Sequence, residues 1–142
     1  MIKLKYALLG CGRIAPNHIA AALAETEQIE IVAVCDILPA HIDKVLEQVP
    51  EAQRGAIARY TDYHQMLAEA KPDLVAIATE SGKHAQQALD CLAAGCHVII
   101  EKPIALSLVD ADAIIQAGKE KGLVVCACHQ NRFNKSIQKI RE

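Results

Sequence analysis

The sequence predicts an α/β protein built on a doubly wound parallel sheet of about six strands. Two observations lead there: apolar runs alternate with helix-period segments from end to end, and the runs are apolar at nearly every position. Parallel strands need crossover connections and bury both faces, so continuous apolar strands separated by amphipathic helices specify a sheet covered on both sides. The length of 142 residues corresponds to one compact domain.

The elements follow in order. Residues 2–9 read as the first strand, and residues 14–24 as a helix with Ile14, His18, Ala21 and Ala22 on its inward stripe. Residues 29–35 form the second strand. A helix over residues 39–48 starts at Pro39 and stops before Pro50. Residues 56–60 make a short third strand, and Thr61-Asp62 caps a short helix carrying Met66 and Leu67. Residues 74–79 are the fourth strand, followed by a helix over 83–94 ended by Gly95 and a very apolar fifth strand over 96–100. Ser107 caps a helix that turns Leu108, Ala111, Ile114 and Ile115 inward and stops at Gly118 or Gly122. Residues 123–128 complete the sheet. In the last thirteen residues, Phe133, Ile137 and Ile140 fall at i, i+4 and i+7, an apolar helix stripe that needs a partner surface on this domain, a second copy or a further segment.

Composition narrows the function. Apolar residues make up 52% and charged residues 23%, enough for a real core and too ordinary for a disordered chain. Aromatics are 3%, with no Trp and one Phe, so base-stacking platforms are improbable. Fifteen Lys and Arg against seventeen Asp and Glu give a net charge of −2, without the basic stripe that a nucleic-acid backbone requires. The apolar runs fall far short of the roughly 20 residues that span a bilayer, and no signal-peptide pattern precedes the first strand, so a cytoplasmic protein is expected. The six cysteines contain no C-x-x-C pair, and reduced, mostly buried thiols are expected. No metal site is expected.

Chemistry concentrates at strand ends. Gly10-Cys11-Gly12-Arg13-Ile14-Ala15 follows the first strand directly and opens a helix, the G-x-G-x-x-A fingerprint of a Rossmann dinucleotide site. Gly10 permits the tight turn, Gly12 lets backbone approach a pyrophosphate, and Ala15 lets helix pack on strand. The amides of Arg13 and Ile14 would meet the phosphates. An ordinary glycine-rich turn is the alternative. Asp36 closes the second strand about 20 residues later, where an acidic residue accepts hydrogen bonds from the adenosine ribose and repels a 2′-phosphate. NAD is therefore favoured over NADP, with Arg13 as the one nearby cation able to argue otherwise. Asp36 also fits a turn or helix-cap role. Since ligands bind outside the carboxyl ends of the strands, Thr79 to His84 and Glu101-Lys102-Pro103 converge on the same cleft. Lys102 there would polarise a substrate hydroxyl as hydride leaves. The competing readings are a solvated turn for Glu101-Lys102-Pro103 and a surface helix residue for His84; His41, His64 and His97 carry no partner pattern.

Taken together, residues 7–15, 32–36, Thr79 with His84, and above all Glu101-Lys102-Pro103 resemble the Gfo/Idh/MocA family of sugar oxidoreductases. The resemblance implies that Glu101, Lys102 and Pro103 close the nicotinamide pocket, that Lys102 contacts substrate hydroxyl or cofactor, and that the Lys102–Pro103 peptide is cis. It extends a cofactor-binding role to Thr79, His84 and Gln130. Glu80 and Ser81 depart from the family's Thr-Pro-Asn-x-x-His pattern, which weakens the ligand role of His84. Residues 129–134 resemble the crossover into the family's second domain, most like branches acting on nucleotide-linked sugars such as UDP-N-acetylglucosaminuronate. Residues 1–129 thus read as the dinucleotide-binding domain, and 130–142 as the start of a crossover helix toward a substrate domain outside this chain. In the family that domain supplies an Asp and His pair for proton transfer and the interface of a homo-oligomer, so the isolated chain is expected to be weak or inactive. A non-catalytic NAD sensor is the alternative, but it has no use for Glu101-Lys102-Pro103. A methyltransferase also pairs a glycine-rich loop with an acidic strand end, but lacks the six-residue fingerprint.

Overall fold

A computed structural model describes residues 2–141. The six strands are β1 (Leu4–Leu9), β2 (Ile29–Cys35), β3 (Ala58–Tyr60), β4 (Leu74–Ile77), β5 (His97–Glu101) and β6 (Val125–Cys128), all parallel, in the order β3-β2-β1-β4-β5-β6. The order reverses between β1 and β4. The chain leaves β1 toward β2 and later returns to the opposite side, which opens a crevice at the carboxyl ends of these two central strands.

Period-two alternation divides the core. From β1, Tyr6 and Leu8 enter one layer with Val34 and Ala76, under α1 (Ala15–Ala24) and α2 (Pro39–Leu46). Ala7 and Leu9 enter the other with Val75, Ile77, Val98 and Ile100, under α4 (Tyr63–Ala70), α5 (His84–Ala93) and α6 (Leu108–Lys121). A one-turn helix, α3 (Glu51–Arg54), precedes β3 and was not expected from the sequence. Its Pro50 and charged composition resemble a loop, and it buries nothing.

Capping explains the boundaries. Asp62 accepts the His64 N–H at 2.8 Å to start α4, and Ser107 accepts that of Asp110 at 3.1 Å to start α6. Gly122 ends α6 in the left-handed region at φ +65°. Gly118 instead lies inside the helix, where an added Cβ would sit 2.6 Å from Val125. β1 begins at Leu4, because Ile2 is 98% exposed and outside the ladder.

Three expected stripes shift. In α1 the buried residues are Ala15, Ile19 and Ala22; Ala21 faces solvent and His18 is turned to a polar partner described below. In α6, Ile114 and Gly118 are buried, whereas Leu108 and Ile115 are exposed, so small residues let this helix lie close to β6. After β6, Gln130–Phe133 form a 3-10 turn, and α7 (Lys135–Arg141) starts anew with Asn134, whose side chain accepts the Ser136 N–H. Phe133 therefore does not share a helix with Ile137 and Ile140, and all three are exposed rather than docked on the sheet.

Among the described residues no helix is long and apolar enough to cross a membrane. All six cysteines are free; Cys11, Cys35, Cys91 and Cys96 are buried, Cys128 is half-buried and Cys126 is exposed. His97 is structural, its Nδ1 accepting the Val124 N–H beside β6, and His64 lies against the Tyr63 ring.

Candidate functional site

The fingerprint turn joins β1 to α1 at the crevice. Gly10 holds φ +94°, and a Cβ there would lie 2.6 Å from the Ala78 carbonyl group, so this glycine admits both the turn and the close approach of the chain leaving β4. Gly12 is different: an added Cβ would meet nothing within 4 Å, which leaves room for a group to lie directly on the backbone. No side chain caps α1, Pro16 occupies its first turn, and the N–H groups of Arg13 and Ile14 bond to no other described residue. Such a turn offers donors and the positive end of the helix dipole to an anion.

Two hollows flank this turn. The larger, about 560 Å³, runs between Gly10 and Gly12, Asp36 to Leu38, His41, the Thr61–Tyr63 loop, and Thr79. Asp36 is mostly buried, and its carboxylate fastens the loops together: Oδ2 accepts the Cys11 N–H at 2.8 Å and Oδ1 that of Leu38 at 2.9 Å. His41 Nδ1 lies 3.4 Å from Oδ1. Both structural and ligand roles fit this residue, since each carboxylate oxygen has a second lone pair and the side chain borders the hollow. Burial, and then the charge of Asp36, push the neighbouring Cys11 and Cys35 thiols up to about 12, so both stay protonated and unreactive at neutral pH.

The smaller hollow, about 280 Å³, is bordered by Arg13, Ile14, Thr79, His84, Glu101, Lys102 and Gln130. Gly10, Gly12, Arg13, Ile14, Asp36, Thr79, His84, Glu101, Lys102 and Gln130 thus each border at least one of the two hollows, whereas Pro103 borders neither. Arg13 borders the Lys102 hollow and not the Asp36 hollow. A third hollow beyond Lys102 is bordered by His129, Gln130, Arg132 and Arg141.

His84 is not a surface residue. It is 1% exposed, with Nε2 3.0 Å from the Thr79 carbonyl and Nδ1 2.8 Å from the Pro103 carbonyl, so it ties the loop after β4 to the loop after β5. Thr79 Oγ1 is in turn held by the buried side chain of Gln87. The substituted Glu80 pairs with Lys83 at 2.9 Å on the surface. The Lys102–Pro103 peptide is cis, as the resemblance implied.

Sequence reasoning missed His18, His41 and Gln87. His18 Nε2 lies 2.9 Å from Glu101 Oε1, bringing α1 to the end of β5, and Cys128 completes a trio whose donor atoms lie within 4.8 Å of one another. The signal available was weak: one histidine a turn into the fingerprint helix.

A parallel sheet with a crevice at its switch point, an open fingerprint turn, an acidic second-strand end and a lysine after β5 define an NAD-binding Rossmann domain of the oxidoreductase type. The comparison with known families agrees: residues 4–129 match the model of the Gfo/Idh/MocA oxidoreductase family, NAD-binding Rossmann fold, and the chain belongs to that family. Among its relatives, 4-carboxy-2-hydroxymuconate-6-semialdehyde dehydrogenase of Sphingobium sp. is 36% identical over 96% of this chain and 42% of its own length. D-glucoside 3-dehydrogenase of Escherichia coli is 30% identical over 98% and 38%. The WlbA dehydrogenase of Bordetella pertussis, solved with NADH and UDP-GlcNAcA, superposes with a TM-score of 0.86 at 34% identity, over 98% of this chain and 41% of that one. The chain spans about two-fifths of the length of these relatives.

Proposed function

We propose that this chain is the cofactor-binding domain of an NAD-dependent oxidoreductase that transfers hydride between nicotinamide and a hydroxyl of a sugar or nucleotide-sugar. The observation that carries the reading is the open backbone at Gly12, set between the Asp36 hollow and the Lys102 hollow. NAD fits that arrangement, and when bound it supplies the hydride acceptor. Gly10 and Gly12 shape the cradle, and the amides of Arg13 and Ile14 hold the pyrophosphate. Asp36 accepts the ribose hydroxyls and repels a 2′-phosphate, which favours NAD over NADP. Thr79, His84, Glu101, Lys102 and Gln130 form the nicotinamide end.

Lys102 is the catalytic residue of this reading. Its ammonium group stabilises the negative charge that develops on the substrate oxygen. The group that receives the hydroxyl proton belongs to a substrate domain following residues 130–142, a reading supported by the exposed Ile137 and Ile140. The same domain would carry the contacts of a homo-oligomer, and reduced thiols suit a cytoplasmic setting. The dehydrogenase relatives favour this reading over a sensor domain.

Fluorescence titration with NADH, combined with an assay of a sugar and nucleotide-sugar panel, tests it. The expected result is saturable NADH binding by the 142-residue chain with slow or no turnover. Efficient turnover by this chain alone refutes the division into cofactor and substrate domains.

A further inference from the structure

We infer that His18 is a positioning residue that sets the nicotinamide end of the site through Glu101; the inference rests on the NAD reading above. In the sheet, β1 and β5 are not neighbours, because β4 lies between them. The ladders relate the fingerprint turn after β1 to Lys102 after β5 only through β4. A side-chain bridge links the two directly. His18, one turn into α1, brings Nε2 to 2.9 Å from Glu101 Oε1, and Glu101 Oε2 accepts the backbone N–H of Lys102 at 3.3 Å. The carboxylate thus couples the helix that carries the pyrophosphate cradle to the backbone of the residue facing substrate.

The bridge is built to hold. Glu101 is 8% exposed and the His18 side chain 11%, so the carboxylate depends on protein donors and the contact is little screened. Cys128 of β6 lies alongside, its Sγ within 4.8 Å of the His18 and Glu101 ligand atoms; burial, and then the Glu101 charge, push its thiol up, so it stays protonated beside the carboxylate. Imidazole N–H and amide N–H thus converge on one buried acid. His18 itself borders neither hollow, so it acts by placing Glu101 and not by touching a ligand.

Location separates this role from general stability. The Asp36 hollow contains neither His18 nor Glu101, whereas the smaller hollow contains Glu101 and Lys102. Loss of the bridge must therefore act on the nicotinamide end and spare the adenosine end. The measurement is a pair of titrations, NADH and ADP-ribose, on the protein with His18, His18→Ala and His18→Gln. Alanine favours the helix, and His18 packs no core, so the variant folds. His18→Ala is expected to weaken NADH about tenfold, the scale of one hydrogen bond to a charged group, and to leave ADP-ribose within about twofold. His18→Gln, whose amide N–H reaches the same carboxylate, is expected to recover NADH affinity to within about threefold. Equal loss of both ligands, no loss of either, or no recovery in His18→Gln overturns the inference. Failure of the unaltered protein to bind NADH and ADP-ribose overturns the NAD reading itself.

Discussion

Gly10 and Gly12, two residues apart in one turn, should respond oppositely to the same substitution. At Gly10 an alanine Cβ would be forced into the left-handed region, costing about 1–2 kcal/mol, and would lie 2.6 Å from backbone atoms of Ala78 that cannot rotate away. With the overpacking cost of about 1–3 kcal/mol, Gly10→Ala should lose about 3 kcal/mol. In a domain of this size that lowers Tm by about 10 °C. At Gly12 the added methyl meets nothing within 4 Å and the backbone is unstrained, so Tm should stay within about 2 °C, in keeping with a surface substitution worth no more than about 0.5 kcal/mol. The methyl instead occupies the space where the pyrophosphate would approach, and NADH affinity should fall more than about tenfold, or about 1.4 kcal/mol. Thermal unfolding by circular dichroism and NADH fluorescence titration read the two effects separately. Unchanged NADH binding in Gly12→Ala, or an unchanged Tm in Gly10→Ala, refutes the reasoning.

Further outcomes follow from the same contacts. Asp36→Ala should weaken NADH and narrow its advantage over NADPH; because the Cys11 and Leu38 N–H groups also lose their acceptor, stability should fall by about 1–3 kcal/mol, and unchanged affinity for both cofactors removes Asp36 from the site. His84→Phe removes the imidazole that lies between the Thr79 and Pro103 carbonyls and the hydrogen bond it donates there, and should lower Tm by several degrees, with NADH weakened more than ADP-ribose. Cys11 and Cys35 are held protonated to about pH 12 in the fold but ionise near 9 when unfolded. Their contribution is therefore complete below pH 9 and is lost as pH rises toward 12, by up to about 1.4 kcal/mol per pH unit for each thiol. Tm measured from pH 8 to 10.5 should fall, and more shallowly in Cys35→Ala. Thiol labelling of the native protein should reach Cys126 and then Cys128, with the other four reacting only on unfolding.

Much of the fold was legible because the strands are apolar throughout and the caps are chemically explicit: Ser107, Asp62 and Gly122 mark real boundaries. Helix faces were less legible. A small residue such as Gly118 packs as tightly as a large one, so hydrophobicity alone placed Leu108 and Ile115 inward where close approach of α6 to β6 leaves them exposed. The site divides in the same way. Gly10, Gly12, Asp36 and Lys102 announce themselves by spacing, because their roles are fixed by backbone geometry at strand ends. His18, His41 and Gln87 do not, since each acts on a partner 5 to 83 positions away and only the folded sheet brings the pairs together. His84 stands between: its motif was visible, but its burial between two carbonyls was not.

Isothermal titration of the unaltered chain with NADH and with NADPH is the sharpest test of an NAD-specific cradle centred on Gly12. The expected result is a saturable one-to-one complex with NADH, and binding of NADPH at least about tenfold weaker, the effect of about 1.4 kcal/mol from the Asp36 carboxylate. Absence of saturable binding, or equal affinity for the two cofactors, contradicts it.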